Sequence, residues 1–192
     1  HHPSIIMMKP VVLLLSVVSC LFPATAHAGA DIFGAVRDDS AARVEAALAA
    51  DSSVLNQRGK GGQTPMMNAA LLGKVEALKV LIKHGADASI GEKDGYTPMH
   101  GAGFQGRADI VPVLVAAGLD PNDMHQDGFT PLHRACWGHE PRHTETVEAF
   151  LAAGVSPAQR SRDGRTALEL CRNPNTKAVL RRALDLNGNA EL

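Results

Sequence analysis

The sequence predicts an all-α repeat solenoid, a stack of about five helix-turn-helix units, three full and two capping. Three observations predict it. A short motif recurs at fixed pitch: Asp94-Gly95-Tyr96-Thr97-Pro98-Met99-His100 returns 33 residues later as Asp127-Gly128-Phe129-Thr130-Pro131-Leu132-His133, and stands 33 residues earlier as Gly61-Gly62-Gln63-Thr64-Pro65-Met66-Met67. A weaker copy, Asp163-Gly164-Arg165-Thr166-Ala167-Leu168-Glu169, follows after 36 residues. A period of this length marks stacked repeats rather than one globular core. Behind each full motif runs an apolar segment at helical spacing that ends on glycine, at Gly85, Gly118 and Gly154. At both ends the motif degrades and polar residues replace apolar ones, because a terminal repeat must face water.

The elements follow in chain order. Residues 29–60 form an N-terminal capping unit, in which Asp31-Ile32-Phe33-Gly34-Ala35-Val36 and Val44, Ala47 and Leu48 supply a helix pair without the Thr-Pro signal. Arg37, Asp38, Asp39 and Arg43 are its solvated outer residues. The full units cover residues 61–93, 94–126 and 127–162. In each, Asp-Gly or Gly-Gly turns the chain into a finger. Threonine then caps a helix with its hydroxyl, and proline takes the first helical position, where no N–H is needed. In the middle unit the first helix runs to about Gly106. The second covers about Ala108 to Ala117, with Ile110, Val111, Leu114 and Val115 inward. Pro112 falls near the first turn of that second helix, where N–H groups are still free, so it distorts without breaking. Three extra residues around Glu140-Pro141-Arg142 lengthen the loop between the helices of the next unit. Residues 163–186 are the C-terminal cap, where Thr166-Ala167 loses the proline, Asn173-Pro174-Asn175 shortens the connection and Arg172, Arg181 and Arg182 polarise the end. Residues 187–192 are read as a disordered tail.

The chain has 192 residues, of which 45% are hydrophobic and 4% aromatic, with a formal charge of −1. That composition excludes wholesale disorder, and the charge lacks the basic field that nucleic acid demands. Residues 1–28 are read as upstream sequence and a secretory signal starting at Met7 or Met8. Lys9 precedes the apolar run Val11 to Phe22, Pro23 ends it, and Ala26-His27-Ala28 fits cleavage after Ala28. The run is too short for a spanning helix, which needs about 20 apolar residues. The expected location is therefore exported: periplasmic, secreted or in the lumen of the secretory pathway, with no membrane attachment after cleavage. Val17-Val18-Ser19-Cys20 also resembles a bacterial lipoprotein box, which would instead make Cys20 a lipid anchor.

The recurring Thr-Pro, Thr97-Pro98-Met99-His100 and Thr130-Pro131-Leu132-His133, with Gly85-Ala86-Asp87 closing the first full unit, resemble the ankyrin repeat. The resemblance covers about residues 31–186. It implies an L-shaped stack of helix pairs with projecting β-hairpin fingers, and a concave face of fingers and inner helices on which protein partners bind. The residues that carry specificity are those the motif leaves free. One precedes each threonine (Gln63, Tyr96, Phe129, Arg165), another lies seven residues after it (Leu71, Phe104, Trp137), and the next position holds Leu72, Gln105 and Gly138. Tyr96 with Phe129, and Phe104 with Trp137, are expected to stack on adjacent units as a partly exposed aromatic patch of the kind found at interface hot spots. Gln105, Arg134, Gln126 and Arg165 are the expected polar contacts at its rim.

A rival reading uses His133, Cys136, His139 and His143, which fall within eleven residues, as a metal- or redox-linked cluster. Against it, His133 belongs to the repeat motif and Pro141 separates His139 from His143. The insertion carrying those two histidines could add one contact site. Cys136 and Cys171 stand at nearly equivalent points of successive units. Stacked helices lie ~8–10 Å apart, beyond the usual Cα separation of a disulfide, so two reduced, packed thiols are expected. No Gly-x-Ser-x-Gly, His-Glu-x-x-His or phosphate-cradling loop is present, and Asp38/Asp39 read as solvated. The expectation is a monomeric, non-enzymatic protein-binding module without a cofactor.

Overall fold

A threonine at the head of each inner helix after the first opens the structure's repeating unit. The computed structural model describes residues 31–188; the expected signal segment, Cys20 and residues 189–192 lie outside the described residues. Among the described residues ten helices alternate: α1 (Ile32–Arg37), α2 (Ala41–Ala50), α3 (Pro65–Leu72), α4 (Val75–Lys83), α5 (Pro98–Gln105), α6 (Ile110–Ala116), α7 (Pro131–Ala135), α8 (Pro141–Ala152), α9 (Ala167–Leu170) and α10 (Pro174–Gly188), with a 3₁₀ turn at Ser52–Asn56. Odd-numbered helices stack on one another as the inner row, as α3 on α5 and α5 on α7, and even-numbered helices stack as the outer row. The all-α repeat solenoid stands.

Local chemistry explains the boundaries. Thr64 Oγ1 accepts from Met67 N at 3.2 Å, whereas Thr97 and Thr130 turn their hydroxyls to the motif histidines, 2.9 Å from His100 Nδ1 and 2.7 Å from His133 Nδ1. The N-terminal cap substitutes Asp31, whose Oδ1 accepts from Gly34 N at 2.8 Å, and Ser40, whose Oγ accepts from Arg43 N at 3.3 Å. The second helices of the three full units end on left-handed glycines, such as Gly118 at φ 87°. Leu119 N then reaches back to Leu114 O at 3.1 Å and satisfies a free carbonyl. Pro112 lies in the first turn of α6, which runs on without a break.

Four details differ from the sequence reading. The fingers are tight turns rather than paired strands: His125 N meets Phe129 O at 3.1 Å and Gly128 N meets His125 O at 2.8 Å. Among the described residues one isolated antiparallel bridge, Arg160–Thr166, stands in for a ladder, because arms this short have room for one pairing each. Pro141 is not in a loop but at the first position of α8, so the insertion lengthens an outer helix. α10 runs through Gly188, past the boundary drawn at 186. Asp39 is not simply solvated: its Oδ1 accepts from Ala77 N at 2.9 Å in the next unit, tying the N-terminal cap to α4.

The core lies between the two rows. Leu78, Leu81, Ile110, Leu114, Val147, Phe150 and Leu180 from outer helices meet Ile32, Met66, Met99 and Leu132 from inner ones, all essentially inaccessible. Inner helices approach closely because their facing residues are small. A Cβ on Gly103 would stand 2.4 Å from Pro131 O, and one on Gly101 would stand 3.0 Å from Met67 Cε. These glycines set the spacing of α3, α5 and α7, and with it the position of everything on the inner face.

Candidate functional site

Arg134 organises the inner face. It projects from α7 toward Tyr96 of the preceding unit, while Gly101 occupies the equivalent position on α5. Its guanidinium lies 4.3 Å from the Trp137 ring, 4.7 Å from Tyr96 and 5.5 Å from Phe129. Nη2 donates to the Tyr96 hydroxyl at 2.9 Å and to the Asp127 carboxylate. The Tyr96 hydroxyl in turn donates to Asp127 Oδ2 at 2.9 Å. One cation thus serves three rings and one anion, and its side chain is only 7% exposed. Arg134 is therefore a buried organiser, not the rim contact expected, because the surrounding rings enclose it.

The aromatic pairs also differ from those expected. Tyr96 stacks on His125 at 3.8 Å between centroids, and Phe129 meets Trp137 edge-on at 5.1 Å. The finger geometry places His125, not Phe129, over Tyr96, and its Nε2 bonds Asp94 O at 2.8 Å. Gln126 stays exposed; its side-chain amide donates to Asp94 O at 3.2 Å and its main-chain carbonyl accepts from Arg162, linking three fingers. Arg165 pairs with Asp163, Nε to Oδ2 at 2.8 Å, and remains 52% exposed, 5.8 Å from Phe129. Gln105 is half-buried at the end of α5. Phe104 stands apart from the stack as the most exposed ring, at 54%.

Beside Phe104 a cleft of about 270 Å³ opens between successive inner helices, walled by Met67, Leu71, Tyr96, Gly101 and Phe104, with Glu92, His100 and Arg134 at its polar edge. Titration of this wall is suppressed. Burial holds His100 and His133 below the usual histidine range, so both are neutral imidazoles. Burial and the Asp127 carboxylate push the Tyr96 phenol up. At Asp127 burial favours the neutral acid, but His125, the Phe129 N–H, the Tyr96 hydroxyl and Arg134 outweigh it and hold the carboxyl at about 2. Asp127 and His125 are the two residues that sequence reasoning missed. Asp127 was hidden as part of the repeating turn, although its spacing of seven from Arg134 across that turn was visible. His125 was visible as the one aromatic ring in a column otherwise filled by Gly59, Glu92 and Ser161.

The histidine and cysteine cluster does not converge. His133 Nδ1 accepts from Thr130 N at 3.4 Å, so its Nε2 carries the proton and donates to Arg165 O at 3.2 Å, stitching two fingers. His143 Nε2 meets Phe104 O at 3.2 Å, His139 is exposed, and Cys136 is fully buried. Among the described residues no group of three or more metal-binding side chains is assembled, and no helix is long and apolar enough to cross a membrane.

Comparison with known families gives the same frame. The family of ankyrin repeats in three copies matches residues 32–125, and that of the single ankyrin repeat matches residues 127–162. No curated protein matches the chain. The two matches together span more than half of the sequence and fall on the helix pairs α1–α8, and the chain belongs to the ankyrin-repeat family.

Proposed function

We propose that the chain is a non-enzymatic interaction module that holds a partner protein on its concave surface of fingers and inner helices, with Phe104 and the adjoining cleft as the apolar anchor point. Ankyrin repeats generally mediate protein–protein interaction. The observation that carries the reading for this chain is the 54% exposure of Phe104 at the mouth of a cleft. A large ring left in water beside apolar walls is the arrangement of a hot spot. Tyr96, Arg134, Phe129 and Trp137 support it as a prebuilt wall, so binding incurs little ordering cost. Gln105 and Arg165 offer polar contacts at the edge, and His139 offers one more beside them.

The test is affinity capture with wild type and Phe104→Ala. Phe104 makes few buried contacts, so the variant should unfold within about 0.5 kcal/mol of wild type. Its partner affinity should fall by about 2 kcal/mol, roughly 30-fold. Equal affinity of the two proteins would remove Phe104 from the interface. We also read the protein as a monomer exported by a signal that starts at Met7 or Met8 and is cleaved after Ala28. Intact mass of the natural protein should place its first residue at Gly29, and a retained N-terminus or a lipidated Cys20 would overturn that reading.

A further inference from the structure

We infer that the cleft beside Phe104 takes one arginine side chain of the partner, its stem on the apolar walls and its guanidinium at the Glu92 carboxylate. This rests on the reading of that cleft as the partner's anchor point and specifies what enters it. Gly101 lines the cleft without a side chain of its own, where the neighbouring inner helices carry Asn68 and Arg134 at the same position. At about 270 Å³ the cleft falls below the ~300–1,000 Å³ of small-molecule pockets. That is room for a side chain rather than for a cofactor.

Glu92 gives the cleft its sign. The equivalent positions of the other fingers hold Gly59, His125 and Ser161, so the carboxylate is particular to this unit. It is half-buried, and two amides of the preceding unit orient it. Asn68 Nδ2 donates to Gln63 Oε1 at 3.3 Å, and Gln63 Nε2 donates to Glu92 Oε2 at 3.3 Å. Among the described residues no lysine, arginine or histidine forms an ion pair with it. The other charged or titratable groups on the cleft are already matched. Arg134 is 7% exposed and paired with Asp127, and burial keeps His100 neutral. Arg58 of the preceding finger is held by the Gly62 and Gly91 carbonyls, at 2.5 and 2.8 Å. The cleft is left with one unpaired carboxylate, half out of water, and its complement is a cation from outside.

Arginine suits the remaining walls. Its methylene stem covers apolar surface while its head stays polar, which matches Met67 and Leu71 leading to Glu92. Its planar guanidinium stacks on aromatic faces and meets a carboxylate through two N–H donors. Phe104, 54% exposed, and Tyr96 supply such faces in the same cleft, and a cation over a ring adds attraction. Lysine has the stem but not the planar head. A leucine or methionine would cover Glu92 without pairing it, which weakens binding. An acidic side chain would meet like charge.

The test screens a displayed library of random linear peptides against the folded full chain and measures the enriched peptides by calorimetry. They should share one arginine. Replacing it with citrulline, which keeps the stem and planar head without the charge, should weaken binding about ten-fold. Glu92→Gln in the protein should do the same, and the two changes together should cost little more than either alone. Added salt should weaken the arginine peptide and leave the citrulline peptide nearly unmoved. Suppose instead that the enriched peptides carry leucine, methionine or phenylalanine and no arginine. If wild type and Glu92→Gln bind them equally and Phe104→Ala binds them worse, the arginine is overturned and the Phe104 anchor stands. Enriched peptides that bind Phe104→Ala as well as wild type overturn both. A library that yields no enriched arginine overturns the proposal as well.

Discussion

Replacing Arg134 with alanine tests whether one buried cation holds the concave face together. The side chain is 7% exposed and bonds both Asp127 and the Tyr96 hydroxyl. Removing one partner of a fully buried ion pair costs about 3–5 kcal/mol. Asp127 is 33% exposed, however, so water recovers part of its loss and the pair contributes nearer 2 kcal/mol. Guanidinium over the Trp137 and Tyr96 rings, at 4.3 and 4.7 Å, adds about 1 kcal/mol. Against these, Arg134 Nε is buried without a hydrogen bond, and deleting it recovers about 1 kcal/mol. The net expectation is a loss of about 2 kcal/mol. Urea unfolding followed by Trp137 fluorescence, the chain's one tryptophan, and by far-UV circular dichroism should show coincident, shifted midpoints. Arg134→Lys should lose most of the same stability, because an ammonium lacks the planar fork that serves both acceptors. An alanine variant within about 0.5 kcal/mol of wild type would show that the rings pack without the cation and would refute the reasoning.

Other outcomes follow from the same geometry. The folded-state carboxyl of Asp127 titrates at about 2, below the ordinary value of about 3.9. Its stabilisation is therefore complete above about pH 4 and is lost as pH falls toward 2. The stability gap between wild type and Asp127→Asn should be constant from pH 7 to 5 and narrow below pH 4; a gap independent of pH would contradict the assignment. Gly128 and Gly118 share a left-handed backbone, at φ 89° and 87°. A Cβ on Gly128 would stand 2.5 Å from Arg162 Cβ, whereas one on Gly118 would meet nothing within 4 Å. Gly118→Ala should cost about 1 kcal/mol for the backbone alone, and Gly128→Ala at least twice that, measured by urea midpoints. Equal losses would show that the fingers yield freely.

By itself the sequence determined the repeat, its pitch, its helix pairs and its caps. These are local properties, since Thr-Pro, the glycine stops and apolar spacing act within a few residues and recur in register. It also singled out Tyr96, Phe104, Phe129 and Trp137, because they fill positions that folding leaves free. Tertiary structure decided what those residues do. Arg134 reaches Tyr96 across 38 residues of chain because the stacking sets α7 against the preceding finger. Gln126 bonds Asp94 of the neighbouring finger, and Phe104 is left in water by the same stacking that buries its neighbours. Helical periodicity fixes which face a side chain occupies, but contact between faces depends on how closely successive units approach. That approach is set by glycines and turns whose effect appears only when the units are stacked.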